Sequence, residues 1–549
     1  MIPLLKPKKP ADQGPSYRPI SLLSPPAKIL ERLVLPHLQN AFQLAPHQHG
    51  FAKGRSTLTA LQEVSDHITA GLNRSKPRHR TVMVAIDLSK AFDTVCHETL
   101  LNDIHELDVC PSIKKFLACY LRGRRTYVEF RGAKSRPRQM NQGVPQGGIL
   151  SPTLFNLYMS KIPAPPTGTR LVTYEDDSTV LRSGPSIDPI CLEINSYLDT
   201  LNDWFASRNL LISAPKSSAT LFTTWGNEKS KTLPIRIKGN PVPTVENPTI
   251  LGVTLDPLFN FGAHAKKIRE KIGTRNNVLK TLAGSSWGKE KETLLTTHKA
   301  LSGSLLNYCA PIWAPNLSNT NWQEIQAKQN EALRITTGCL KMSDIDHLHS
   351  ETKILPAKDH AELLSKQFLL ATCLPDHPNH NPTNFNTVLP QKVKMKETLS
   401  TKYSDELKHY TREGITDNVI YKEGIKNLHT AAVARAIANQ RDNKVLNQPA
   451  PRIDKSEATL PRKTRSILAQ LRSGYSTNLN SYLHRINPAK YPTDKCPDCN
   501  LEQHTTCHLF TCPANTTDLT PRDLWDNPTE AAAFLGLPNH QEVNLDDND

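Results

Sequence analysis

The stretch Leu171-Val172-Thr173-Tyr174-Glu175-Asp176-Asp177-Ser178-Thr179-Val180-Leu181 decides the fold. Two short apolar runs flank three consecutive acids, the pattern of a hairpin with Glu175, Asp176 and Asp177 at its tip. Upstream, Val82-Met83-Val84-Ala85-Ile86 is an unbroken apolar run of strand length that ends in Asp87, and it reads as a buried strand. Downstream, Ile190, Ile194, Tyr197, Leu198, Leu201 and Phe205 recur at helical spacing, which predicts an amphipathic helix. Strands alternating with such helices over 81–225 predict a sheet layer covered by helices. A further helix is expected over 27–42, with Ile29, Leu30, Leu33 and Leu38 near one face, and another carries Trp322, Ile325, Ala332 and Leu333 in one stripe, ended by Gly338.

An aspartate at a strand end is usually turn chemistry. Three together say more. If the two strands are neighbours, Asp87, Asp176 and Asp177 converge at one sheet edge, where their charges repel unless cations intervene. Two divalent ions held by carboxylates are the usual clamp for in-line phosphoryl transfer, and Mg²⁺ suits a site with few protein oxygens.

With 549 residues the chain is expected to hold several domains. It has no apolar run of the roughly 18 residues a membrane span needs, and Met1–Pro10 lacks a signal-peptide core; an integral membrane or secreted protein is therefore not expected, and an intracellular one is. Lys and Arg number 67 against 52 acids, a net charge of +15. The excess is concentrated at residues 1–80, net +8, and at Arg122–Arg138, net +6, whereas Pro521–Asp549 is net −6. Clustered positive charge points to a nucleic-acid partner.

Eleven cysteines are present, seven of them scattered singly and four between Cys496 and Cys512. That distribution suits one metal site rather than a disulfide framework. Cys496-Pro-Asp-Cys499 followed by His504, Cys507, His508 and Cys512 is a zinc signal. Two ligand sets are open for one Zn²⁺: Cys496, Cys499, His508 and Cys512, or Cys496, Cys499, His504 and Cys507.

Several blocks carry a specific resemblance. Ala85-Ile86-Asp87-Leu88-Ser89-Lys90-Ala91-Phe92-Asp93, Gly143-Val144-Pro145-Gln146-Gly147-Gly148 and Tyr174-Glu175-Asp176-Asp177 resemble motifs A, B and C of reverse transcriptases of non-LTR (LINE-type) retrotransposons. Tyr17-Arg18-Pro19-Ile20-Ser21-Leu22 and Gln48-His49-Gly50-Phe51-Ala52-Lys53-Gly54-Arg55 are similar to the two motifs that precede them. The chain is closest to the Jockey-like group. Gly252-Val253-Thr254-Leu255-Asp256, Asn307–Trp313 and Ala332–Gly338 extend the resemblance to about residue 345.

This resemblance implies an α+β, right-hand polymerase fold. Fingers are expected over 1–80, and a palm with an antiparallel sheet and the remaining fingers elements over 81–225. Primer grip and thumb follow over 226–345, a helical connector over 346–490, a zinc knuckle over 491–515 and an acidic tail over 516–549. It implies an RNA-directed DNA polymerase that takes an RNA template, a DNA primer or target and dNTPs, in the nucleus at the time of integration. Asp87, Asp176 and Asp177 would hold two Mg²⁺ ions. Phe92 would exclude a ribose 2′-hydroxyl, and Gln146 would lie along the incoming nucleotide. Either Lys53 or Arg55 would meet the triphosphate, and Lys216 would protonate the leaving pyrophosphate. The family's C-terminal Cys-Cys-His-Cys knuckle favours the zinc set with His508 and Cys512.

Two departures matter. Glu175 stands where the family has a small or apolar residue, most often Ala; strand alternation would turn its side chain away from the metals. The chain also opens within the fingers motifs, so the endonuclease encoded upstream in the Jockey-like frame is expected to be lacking. Both keep open a catalytically impaired or co-opted nucleic-acid-binding remnant. An RNA-dependent RNA polymerase is a third reading, opposed by Phe92.

Overall fold

The computed structural model describes residues 1–538 except 8, 75–76, 285–287, 381–395 and 412–417. Most of the Pro/Asn/His-rich segment near 375–390 and the end of the acidic tail lie outside the described residues. The chain divides into two compact units, Met1–Asn260 with Pro375–Lys402, and Phe261–Leu374 with Tyr403–Asp549.

In the first unit, α1 spans Pro25–Gln39, α2 Thr57–Leu72, β1 Arg80–Ile86 and α3 Ser151–Met159. Then come β2 at Thr169–Tyr174, β3 at Asp177–Gly184, α4 at Ile187–Ser207 and β4 at Ser218–Phe222. The four strands form one antiparallel sheet in the order β4-β1-β3-β2. β1 is therefore central, which explains its apolar sequence: Val82, Met83 and Val84 are fully buried. One core gathers Val82, Val84, Phe155, Val180, Ile194 and Phe205 from this sheet and its helices.

Of the four apolar residues expected near one face of α1, only Leu38 is buried. Ile29 and Leu33 are 62% and 66% exposed, and the buried residues are Glu31, Val34 and Leu38. The reason is polar. Glu31 Oε2 accepts from the N–H groups of Ile149 (2.5 Å) and Leu150 (3.0 Å) at the start of α3. A carboxylate is favoured there, because a helix N-terminus presents unpaired donors and a positive dipole end. That anchor rotates α1 about its axis and leaves three apolar residues outside.

The second unit is helical. Its principal helices include α5 at Gly262–Leu282, α6 at Asn319–Thr337, α7 at Ile345–Thr352 and α8 at Arg462–Arg472. α6 buries Trp322, Ile325, Ala332 and Leu333 and ends at Gly338, whose φ of 74° suits a glycine cap. The stretch expected as a helical connector contributes to the interior of this unit. Arg472 is fully buried, and its Nε lies 3.1 Å from Glu351. Its other arm bonds Glu457, while Lys291 Nζ lies 2.9 Å from Glu351 and 3.6 Å from Glu457. Weak hydrophobic periodicity hid this packing, since the interior here is partly ionic. No described helix is long and apolar enough to cross a membrane.

Candidate active site

Register builds the site. β1 and β3 pair Ile86 with Ser178, so Asp87, one residue further, stands opposite Asp177. On the other flank β4 pairs Ser218 with Ala85. Continued past the strand end, that register brings Lys216 to Asp87, and Lys216 Nζ lies 3.8 Å from Asp87 Oδ2. The three aspartates, Phe92, Gln146 and Lys216 all line one open cleft of about 1170 Å³.

The hairpin turn is tight. Tyr174 pairs with Asp177, leaving only Glu175 and Asp176 to connect the strands. Two-residue hairpin turns need a positive φ at their first central position, and Glu175 has φ 58°. That backbone costs a residue with a side chain roughly 1–2 kcal/mol. It also ends the strand alternation, so the expectation that Glu175 turns away fails: Glu175 lines the same cleft as the aspartates.

Charge crowding follows. Burial first, then the charges of Asp176 and Asp87, push Asp177 up to about 6. Burial and the charge of Asp87 also raise Asp176. Burial and the charges of Asp176 and Asp177 lift Glu175 to about 7. Hard oxygen donors that raise one another in this way suit divalent cations of the Mg²⁺ type.

Phe92 is held in place by other rings. It stacks on Phe155 at 4.3 Å and 14°, and meets Phe51 edge-on at 6.1 Å. Gln146 donates from Nε2 to Asp93 Oδ1 at 3.0 Å, and its main-chain carbonyl accepts from Ser21 N–H at 2.7 Å. Gly147, at φ 109°, follows it so closely that a Cβ would lie 2.7 Å from Ser21 O, which no side chain tolerates.

The two cations expected at the triphosphate are elsewhere. Arg55 donates to the carbonyls of Pro46 and Gln48, each at 2.6 Å. Its guanidinium is thus committed to a turn, and neither it nor the exposed Lys53 lines the cleft. Lys6 and Arg18 do. The strands Ile2–Leu5 and Tyr17–Ile20 pair with each other and bring both side chains to the cleft wall, where the Arg18 charge acts on Asp176. Arg18 sits inside a motif already singled out, so its position in that block was the available signal.

Residues 6–255 match the family described as reverse transcriptase (RNA-dependent DNA polymerase). This stretch is a reverse transcriptase domain. The chain is 32% identical over 351 residues to the "Probable RNA-directed DNA polymerase from transposon BS" of Drosophila melanogaster, covering 61% of this chain and 37% of that protein. It is 27% identical to the RNA-directed DNA polymerase from mobile element jockey of Drosophila melanogaster, covering 68% and 41%. Among solved structures, telomerase from Candida tropicalis with a fragment of telomeric RNA aligns with TM-score 0.32 and 12% identity, over 63% of this chain and 54% of that one. The chain spans 37–42% of the length of the first four curated relatives.

Outside the reverse transcriptase domain, Cys496, Cys499, His508 and Cys512 offer ligand atoms that all lie within 4.8 Å of one another. Cys499 Sγ is 3.3 Å from His508 Nε2, and Cys496 Sγ is 3.8 Å from Cys512 Sγ. The other ring nitrogen, His508 Nδ1, meets Glu502 Oε2 at 3.2 Å, the outer partner that orients a metal-binding imidazole. The competing residues are engaged elsewhere: His504 Nδ1 accepts from Asn480 N–H, and Cys507 faces the carbonyl of Val445. Thiolates and an imidazole in this array suit Zn²⁺.

Proposed function

We propose that the chain is an RNA-directed DNA polymerase that extends a 3′-hydroxyl DNA primer with dNTPs on an RNA template. The observation that carries this is the meeting of Asp87, Asp176 and Asp177 in one cleft with Phe92 and Gln146. Two Mg²⁺ ions held by the three aspartates would activate the 3′-oxygen and neutralise the triphosphate. The chain's own groups do the rest. The Phe92 ring, fixed by Phe155, lies under the sugar and excludes a 2′-hydroxyl. Gln146 orients the nucleotide. Lys6 and Arg18 take the triphosphate charge in place of Lys53 and Arg55. Lys216 donates a proton to the leaving pyrophosphate.

Primer extension on an RNA template with dNTPs and rNTPs tests this, with Asp176→Ala as control. Incorporation of dNTPs that the control lacks supports the polymerase. Preference for rNTPs supports an RNA polymerase. Template binding without incorporation supports the impaired remnant, the second reading, which the acid at position 175 favours.

Glu175 makes that second reading quantitative. Its carboxyl lines the cleft beside Asp176 and Asp177, where a further negative charge would repel incoming phosphate. Glu175→Ala is therefore expected to exceed the parent by ~3–10-fold in initial extension rate at saturating Mg²⁺. Equal rates for the two forms count against this account.

We also assign one Zn²⁺ to Cys496, Cys499, His508 and Cys512, where the knuckle would grip nucleic acid. Cys512→Ser is expected to lose one equivalent of zinc and Cys507→Ser none, by metal analysis of the purified protein. The reverse outcome would move the site to the set containing His504 and Cys507.

A further inference from the structure

We infer that Gln48 is a positioning residue for the turn that carries Asp176 and Asp177. This deepens the polymerase reading and rests on it. Gln48 is 3% exposed and is not among the residues lining the cleft. Its side-chain Oε1 accepts two backbone N–H groups, Gly50 at 2.8 Å and Glu175 at 3.2 Å. Only the carbonyl end of the amide can receive two donors, so its orientation is fixed by chemistry.

The surrounding segment is built to hold that contact. His49 N–H donates to Thr173 O and Thr173 N–H to His47 O, both at 2.8 Å, so residues 47–49 run along β2, the sheet's edge strand. His49 is locked in turn, with Nδ1 at 2.9 Å from Thr59 Oγ1 and Nε2 at 2.9 Å from Glu63. Asn156 Nδ2 donates to Gly50 O at 3.0 Å. A Cβ on Gly50 would lie 2.3 Å from the Glu175 nitrogen, so the main chains touch with no side chain between them.

Glu175 has φ 58°, a conformation that persists in a residue with a side chain only when neighbours enforce it. The bond from its N–H to Gln48 is one such constraint at the turn's first corner. Without it the turn relaxes, and the carboxylates that must share two ions move apart. Misplacement of reacting groups on that scale costs about 10–100-fold in rate.

The test uses the full chain with Gln48→Met, which keeps length and volume but removes the acceptor. The expected result is a fall of about 10–100-fold in kcat, little change in KM for dNTP, and a higher Mg²⁺ midpoint. In the Glu175→Gly background, where the corner no longer needs outside support, the same substitution is expected to cost less than about 3-fold, a coupling that a general loss of packing would not give. Unchanged kcat, or equal losses in both backgrounds, would overturn the inference. A readout that needs no activity is amide exchange at Glu175, which Gln48→Met is expected to speed; unchanged exchange also overturns it. Should the parent chain fail to incorporate dNTPs, the polymerase reading falls, while the exchange result still decides the role of Gln48.

Discussion

Asp176→Ala is expected to lower dNTP incorporation by about 10³-fold or more, equivalent to ~4 kcal/mol of lost transition-state stabilisation. Asp176 sits at the hairpin tip beside Asp177, across from Asp87, and all three line one cleft. On the proposed reading, removing one carboxylate would leave two to hold the cations, and both positions of the clamp would suffer. Folding should not. Burial and the charge of Asp87 raise Asp176, so in the metal-free protein its ionised form is held against its neighbours' repulsion. The variant is therefore expected to melt at or above the parent temperature in chelator, and to gain less from added Mg²⁺. Single-turnover extension and paired melting curves with and without Mg²⁺ check both halves. An active variant would remove Asp176 from the chemistry, and an unfolded one would make the activity loss uninformative.

Arg472→Met is expected to destabilise the second unit by about 3–5 kcal/mol. Arg472 is fully buried between Glu351 and Glu457. Burial alone would raise Glu351; Arg472 and Lys291 instead hold it below the usual carboxylate range. Methionine fills similar space but carries no charge, so two buried acids are left with Lys291, Arg465 and the His347 ring as basic partners. The Trp525 ring, centred 6.0 Å from the guanidinium, supplies a local fluorescence probe for denaturant titration. Adding Glu457→Gln to Arg472→Met, which leaves Lys291 paired with Glu351 at 2.9 Å, is expected to recover much of the loss, because breaking an ion pair costs more than replacing it. A single-variant loss below about 1 kcal/mol would show that the network contributes little.

The catalytic strands were legible because their sequence is constrained twice. Val82–Ile86 is central in the sheet and must be apolar, and it ends where a carboxylate is needed. The same holds for the two halves of the hairpin. Phe92 and Gln146 were reachable only through the blocks containing them, since an isolated Phe or Gln has no signature. Lys53 and Arg55 misled because a cation near a glycine-rich loop looks free in sequence, whereas Arg55 is engaged by the carbonyls of Pro46 and Gln48. Lys6 and Arg18 come to the cleft through a two-stranded pairing of residues 2–5 with 17–20, a non-local event that no periodicity encodes. Ile29, Leu30 and Leu33 of α1 face outward because Glu31 is held by two N–H groups more than a hundred residues away. Glu175 was visible as an anomaly, but its positive φ was not. In the second unit, interior charges at Glu351, Glu457, Arg465 and Arg472 erased the hydrophobic pattern that would have revealed them.

The order β4-β1-β3-β2 bears on how this protein tolerates change. Lys216, Asp87 and Asp177 face one another only because three strands end in step. A substitution within β1 alters packing at one place. An inserted or deleted residue there shifts every later side chain to the opposite face, parting Asp87 from both its neighbours at once. Tolerance within the sheet is thus expected for exchange of letters and absent for change of length, and drift in such a chain would first take out the frame of β1 rather than its composition.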